Sequence, residues 1–128
     1  DSLFSVIKKG QKGAQEIQEI MSRLRENPPK EIGTHLVNEI SDFKTSKCTN
    51  ISLGTDKIID LPISNVLQFR LNNGDRITVR PSGTEPKIKY YFNTKGAPLN
   101  LTEENSYEII RAELRHRIEL YKSIVADF

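Results

Sequence analysis

Cysteine is nearly missing from this chain: Cys48 stands alone among 128 residues, so no internal disulfide can form. Its expected place is that of a small buried or half-buried residue. Long apolar runs are missing too. No stretch approaches the ~18 residues of a membrane span, so no membrane partner is expected. The opening Asp1-Ser2-Leu3-Phe4 lacks the basic and apolar regions of a signal peptide. Histidine is scarce. His35 sits in a Gly-Thr-His turn context and His116 lies between Arg115 and Arg117, far away in sequence. Both read as solvated or structural. No pair of aspartates has metal-ligand spacing, so neither a metal site nor a catalytic residue is expected. Net charge is only +2, too little to argue for nucleic acid. There is no internal repeat or low-complexity tract.

What remains is an ordinary soluble globular composition, 36% hydrophobic and 28% charged. At this length one domain is expected, burying roughly two thirds of its unfolded surface. Charge is unevenly spread. Residues 65–95 carry six bases and two acids, net +4, which leaves −2 for the remainder.

Ala14, Ile17, Met21 and Leu24, with Ile20 beside them, recur at helical spacing and predict an amphipathic helix. Asn27-Pro28-Pro29 ends it, because proline cannot continue the backbone ladder. Ahead of it, residues 1–13 hold a short apolar cluster and then Lys8-Lys9-Gly10-Gln11-Lys12-Gly13, which reads as a linker or hinge. The domain proper is placed at 14–128. Leu36 to Phe43 is a possible strand with imperfect alternation, and Cys48 to Ile59 has room for one more.

Leu67, Phe69 and Leu71, then Ile77 and Val79, form two alternating runs around Asn73-Gly74, a hairpin signal of the primed-turn type. Ile88, Tyr90 and Phe92 alternate in a following strand, with Tyr90 expected inside and Lys89 and Tyr91 outside. Tyr107, Ile110, Leu114, Ile118, Tyr121 and Val125 mark a final helix. Asn100 or Thr102 is its expected N-cap, and Glu103 and Glu104 lie near its positive end. The fold class is α+β: an antiparallel sheet of about four strands flanked by two helices.

Between the second and third of these strands lies Arg80-Pro81-Ser82-Gly83-Thr84-Glu85-Pro86-Lys87. The guanidinium of Arg80 matches two phosphate oxygens at once. Ser82 and Thr84 bring hydroxyl donors. Gly83 can adopt φ > 0, so that successive backbone N–H groups turn toward an anion. Pro81 and Pro86 stiffen both flanks. No group here is placed as a nucleophile, so the loop is suited to holding a phosphate without breaking it. A plain surface turn is the competing reading of these residues.

The string Arg80 to Lys87 followed by Ile88-Lys89-Tyr90-Tyr91 closely resembles the C-terminal phosphate loop of the α-D-phosphohexomutases, the phosphoglucomutase and phosphomannomutase enzymes. Asn27-Pro28-Pro29 and Ser64-Asn65-Val66-Leu67-Gln68 extend the resemblance to about Ala14–Asp127, the family's fourth domain. It implies a TATA-binding-protein-like fold. It also implies a cytoplasmic parent enzyme that interconverts hexose 1-phosphate and hexose 6-phosphate through a hexose 1,6-bisphosphate. In that setting Arg80, Ser82, Gly83, Thr84 and Lys89 would bind the substrate phosphate. The family's phosphoserine loop, Mg²⁺ loop and sugar-recognition loop have no counterpart in this sequence. They would belong to the remaining domains of the polypeptide, so this chain alone is expected to be inactive. A phosphopentomutase-type member is the alternative. A sheet that binds nucleic acid through its uncovered face is the rival from another class, disfavoured by the lack of paired exposed aromatics.

Overall fold

The computed structural model describes residues 2–7, 10–82, 85–94 and 106–128. Eight strands and two helices follow in the order β1 (Ser2–Ile7), α1 (Gly10–Glu26), β2 (Glu31–Ile32), β3 (His35–Asp42), β4 (Lys47–Asn50), β5 (Thr55–Ile58), β6 (Leu67–Leu71), β7 (Arg76–Pro81), β8 (Lys87–Asn93) and α2 (Ser106–Ala126). The sheet runs β1-β8-β7-β6-β3-β4-β5, with β2 paired to β3. Every pairing is antiparallel. The α+β class stands, with more strands than the four expected. No described helix is long and apolar enough to cross a membrane.

The extra strands come from segments whose pattern is silent. Residues 1–13 were expected to form a linker, yet Ser2–Ile7 pairs along its length with β8, from Ser2↔Phe92 to Ile7↔Lys87, and Gly10 is already helical. An edge strand satisfies the backbone groups that β8 would otherwise leave bare. The region 48–59 holds a two-stranded hairpin, not one strand, and β5 is exposed at all four residues. With neither face buried, it shows no alternation to read. The imperfect alternation of β3 has a local cause. A bulge between Val37 and Glu39 sets two residues against one on β6 and resets which face each side chain takes.

The β6–β7 turn also differs from expectation. Gly74 has φ 90° while Asn73 does not have positive φ, which rules out a primed type I turn needing both. Gly74 N–H donates to the Leu71 carbonyl at 3.0 Å, and Leu71 N–H to the Asp75 carbonyl at 2.8 Å. This is a three-residue loop with a glycine bulge, the next most common hairpin connection.

One face of the sheet carries the core. Leu67, Phe69, Leu71, Ile77, Val79, Ile88, Tyr90 and Phe92 are all at most 1% exposed. Ile17, Ile20, Met21 and Leu24 of α1 and Tyr121 and Val125 of α2 close over them in one cluster. Phe92 stacks on Tyr121 with centroids 6.0 Å apart, and Phe128 meets Tyr90 edge-on at 6.1 Å. Both helices therefore cover the same face. The alternate residues of β6, β7 and β8 look out from the other.

Candidate functional site: a cationic sheet face beneath a loop

The outer face is ordered by the ladder. Arg80 of β7 lies directly across from Lys89 of β8. Directly opposed residues share a face with Cβ atoms about 5 Å apart. Arg80 is exposed, Lys89 half-buried, and neither side chain has an ion-pair or hydrogen-bond partner among the described residues. Two adjacent like charges on one face repel each other. An anion brought between them removes that penalty.

Just beyond this pair the chain enters the loop. Ser82 N–H donates to the Lys87 carbonyl at 2.8 Å, which adds one more rung beyond Pro81↔Ile88. Lys87 N–H turns back to the Glu85 carbonyl at 2.8 Å, bridging Pro86 in a tight turn suited to proline's fixed φ. Ser82 Oγ accepts the Glu85 N–H at 3.3 Å. The loop base is thus stiffened by its own hydrogen bonds, and the Ser82 amide is committed within it.

Of the five residues expected to hold phosphate, the structure brings Arg80, Ser82 and Lys89 together at one end of the sheet. Gly83 and Thr84 lie outside the described residues, as do the expected cap residues Asn100 and Thr102 and the acids Glu103 and Glu104. Tyr90 is buried as expected, and burial pushes its phenol up to about 12. Tyr91 is half-buried and looks out beside Lys89, across from Thr78. Cys48 is half-buried, with Sγ 3.8 Å from a Glu39 carboxylate oxygen.

A second polar cluster went unread in the sequence. Asp75, in the hairpin loop, is wholly buried. Its carboxylate accepts from Tyr121 OH at 2.6 Å, from Arg117 at 3.1 and 3.2 Å, and from Asn73 Nδ2 at 3.0 Å. Burial opposes the Arg117 charge, yet the hydrogen bonds to Glu113 and Asp75 outweigh it and raise its pKa. The Tyr121 phenol is raised first by burial and then by its bond to Asp75. This cluster clamps α2 to the β6–β7 hairpin. Asp75 reads in sequence as a turn residue, because its partners lie 42 and 46 positions away.

Most of this chain's length is similar to known proteins. The protein-family model "Phosphoglucomutase/phosphomannomutase, C-terminal domain" matches residues 7–100. The phosphoglucomutase of Staphylococcus aureus strain MRSA252 is 43% identical over 95 residues, which cover 74% of this chain and 17% of that protein. Those of strains USA300 and N315 are 42% and 41% identical over the same coverage. The chain therefore spans about a sixth of the length of these relatives. The matched residues contain α1, the β6–β7 hairpin, the loop and β8, the parts that build the outer face and its support. The chain belongs to the phosphoglucomutase/phosphomannomutase C-terminal domain family.

Proposed function

We propose that this domain grips the phosphate of a sugar phosphate substrate within a larger phosphoglucomutase/phosphomannomutase-type enzyme of the cytoplasm. The observation that carries the reading is Arg80. It stands exposed on a rigid strand, opposed to Lys89 and without a counter-charge among the described residues, at the mouth of a loop whose base is hydrogen-bonded shut. Arg80 would bind bidentate and Lys89 as a point charge, while Ser82, Gly83 and Thr84 would complete the cradle. Each charge-assisted bond contributes about 1.5–3 kcal/mol.

The parent reaction would interconvert hexose 1-phosphate and hexose 6-phosphate through a hexose 1,6-bisphosphate. This domain would hold the phosphate that is not being transferred. Binding at that remote end orients the sugar and lowers the barrier at the reacting end. Among the described residues no three His, Cys, Asp or Glu side chains gather at one point. Mg²⁺ and a phosphoserine would be supplied by the remaining domains of the polypeptide. Nucleic acid is not a proposed partner.

Titration of the ¹⁵N-labelled chain with glucose 1-phosphate tests the reading. Saturable shifts are expected at the amides of Ser82, Lys87 and Lys89, and Arg80→Lys should weaken them at least ~10-fold. Single-stranded oligonucleotides should leave these amides unmoved at matched ionic strength. No saturable response at the loop would overturn the assignment.

A further inference from the structure

Two residues further down the ladder from Thr78, the outer face carries a second polar row, separate from the loop. Asn93, Arg76, Arg70 and Glu39 follow one another across β8, β7, β6 and β3, each directly opposed to the next. Arg70 against Arg76 is again a like-charge pair. Among the described residues the carboxylate that meets it is Glu39, 4.0 Å from Arg70 and at the limit of an ion pair. Arg76 and Asn93 have no side-chain partner among the described residues. Arg70 is half exposed, and Arg76 and Asn93 beside it are half-buried.

Like charges placed directly opposite on adjacent strands weaken a sheet. Here the arrangement presents two planar guanidinium forks and one amide donor side by side. Four residues of β7, roughly 13 Å, separate this row from Arg80. The intervening row is neutral: Gln68 Nε2 donates to Thr78 Oγ1 at 3.1 Å, and Tyr91 lies across from Thr78. The two cationic rows are therefore distinct sites and not one continuous patch.

We infer that Arg70 and Arg76, with Asn93 beside them, form a second oxyanion site that takes a phosphate group independently of the loop. Two forks opposed on adjacent strands offer more donors to the acceptor oxygens of a tetrahedral phosphate than the single fork one strand supplies. Glu39 acts as the resident competitor. It neutralises part of the Arg70 charge and would be displaced when phosphate enters.

The test is a titration of the ¹⁵N-labelled chain with inorganic phosphate, and in a second arm glucose 6-phosphate, at ionic strength held constant with chloride. Saturable shifts are expected at the amides of Arg70, Arg76 and Asn93. They should persist in Arg80→Gln, where the loop response is lost, so the two sites fail separately. Arg76→Gln should raise the dissociation constant of this row at least ~10-fold, and Arg76→Lys at least ~3-fold, since Lys keeps the charge and loses the fork. Glu39→Gln should tighten binding. Equal binding in both arms assigns the site to the bare phosphate group, and tighter binding of the ester assigns part of it to the sugar. A response that chloride reproduces, or one unchanged in Arg76→Gln, overturns the proposal.

Discussion

Arg80 and Arg117 carry the same guanidinium into opposite surroundings. Arg117 is almost enclosed, with Asp75 and Glu113 around it, whereas Arg80 is exposed with no counter-charge among the described residues. The first belongs to the fold and the second is available to a ligand. Replacing Arg80 by Lys in the complete enzyme should therefore report geometry more than charge. The expected outcome is a fall in kcat/KM of ~10- to 1000-fold, or roughly 1.4–4 kcal/mol, with the melting temperature little changed. Steady-state kinetics beside thermal denaturation would check it. Unchanged kinetics would remove Arg80 from the site, and a collapse of stability would make it structural.

Tyrosine sets a second expectation at this scale. The buried Tyr90 phenol is raised to about 12 from an ordinary 10, and Tyr121 is raised as well. Above pH 10 the unfolded chain gives up these protons while the native state keeps them. Unfolding is then favoured as pH rises. Stability is expected to hold below pH 10 and to fall between 10 and 12, by up to ~1.4 kcal/mol per pH unit for each such phenol. Urea unfolding midpoints measured from pH 8 to 11 would show the slope, and Tyr90→Phe should reduce it. A flat profile over that range would contradict the assigned burial effect.

Among the elements, those legible in the sequence were the ones with one wet and one dry face. Helix α1 announced itself by the Ile17, Met21, Leu24 stripe and stopped at Glu26, with Asn27 N–H closing the last turn on the Arg23 carbonyl at 2.8 Å. Strands β6, β7 and β8 alternate cleanly because the helices cover only their inner side. The hairpin itself was readable from Asn73-Gly74, but its turn type was not. Gly74 alone in it takes positive φ, and Asp75 beside it is drawn into the buried cluster with α2. Gly74→Ala would force a Cβ into the left-handed region and should cost about 1–2 kcal/mol, measurable by chemical denaturation. Asn73→Gly leaves the turn's φ requirement satisfied and offers a contrast that loses the side chain's bonds to Asp75 instead.

Among the described residues, the sheet is covered on one side by both helices and bears its exposed arginines on the other. That arrangement suits the proposed role of binding and orienting a phosphate, and the chain spans 17% of the length of its phosphoglucomutase relatives. The purified 128-residue chain is expected to fold and to bind hexose phosphate without turning it over. A coupled assay for glucose 1-phosphate conversion, with contaminating mutase excluded, measures this directly. Turnover by the chain alone would mean that a reacting group lies within it.

The family was legible as a resemblance, and local pattern determined the fold class, the inward residues of the three central strands and the oxyanion-suited segment between two of them. Each rests on short-range physics: alternation across a pleat, helical spacing, proline's fixed φ and the donor geometry of arginine. The tertiary structure alone decided the rest. Pairing with β8 made Ser2–Ile7 a strand, a long-range choice set by an open sheet edge and not by local pattern. Packing of α2 on the hairpin buried Asp75 against Arg117 and Tyr121, residues more than forty positions away. Register placed Arg80 opposite Lys89 and Arg70 opposite Arg76. Cross-strand neighbours are fixed by where strands pair, which no local reading of residue spacing contains.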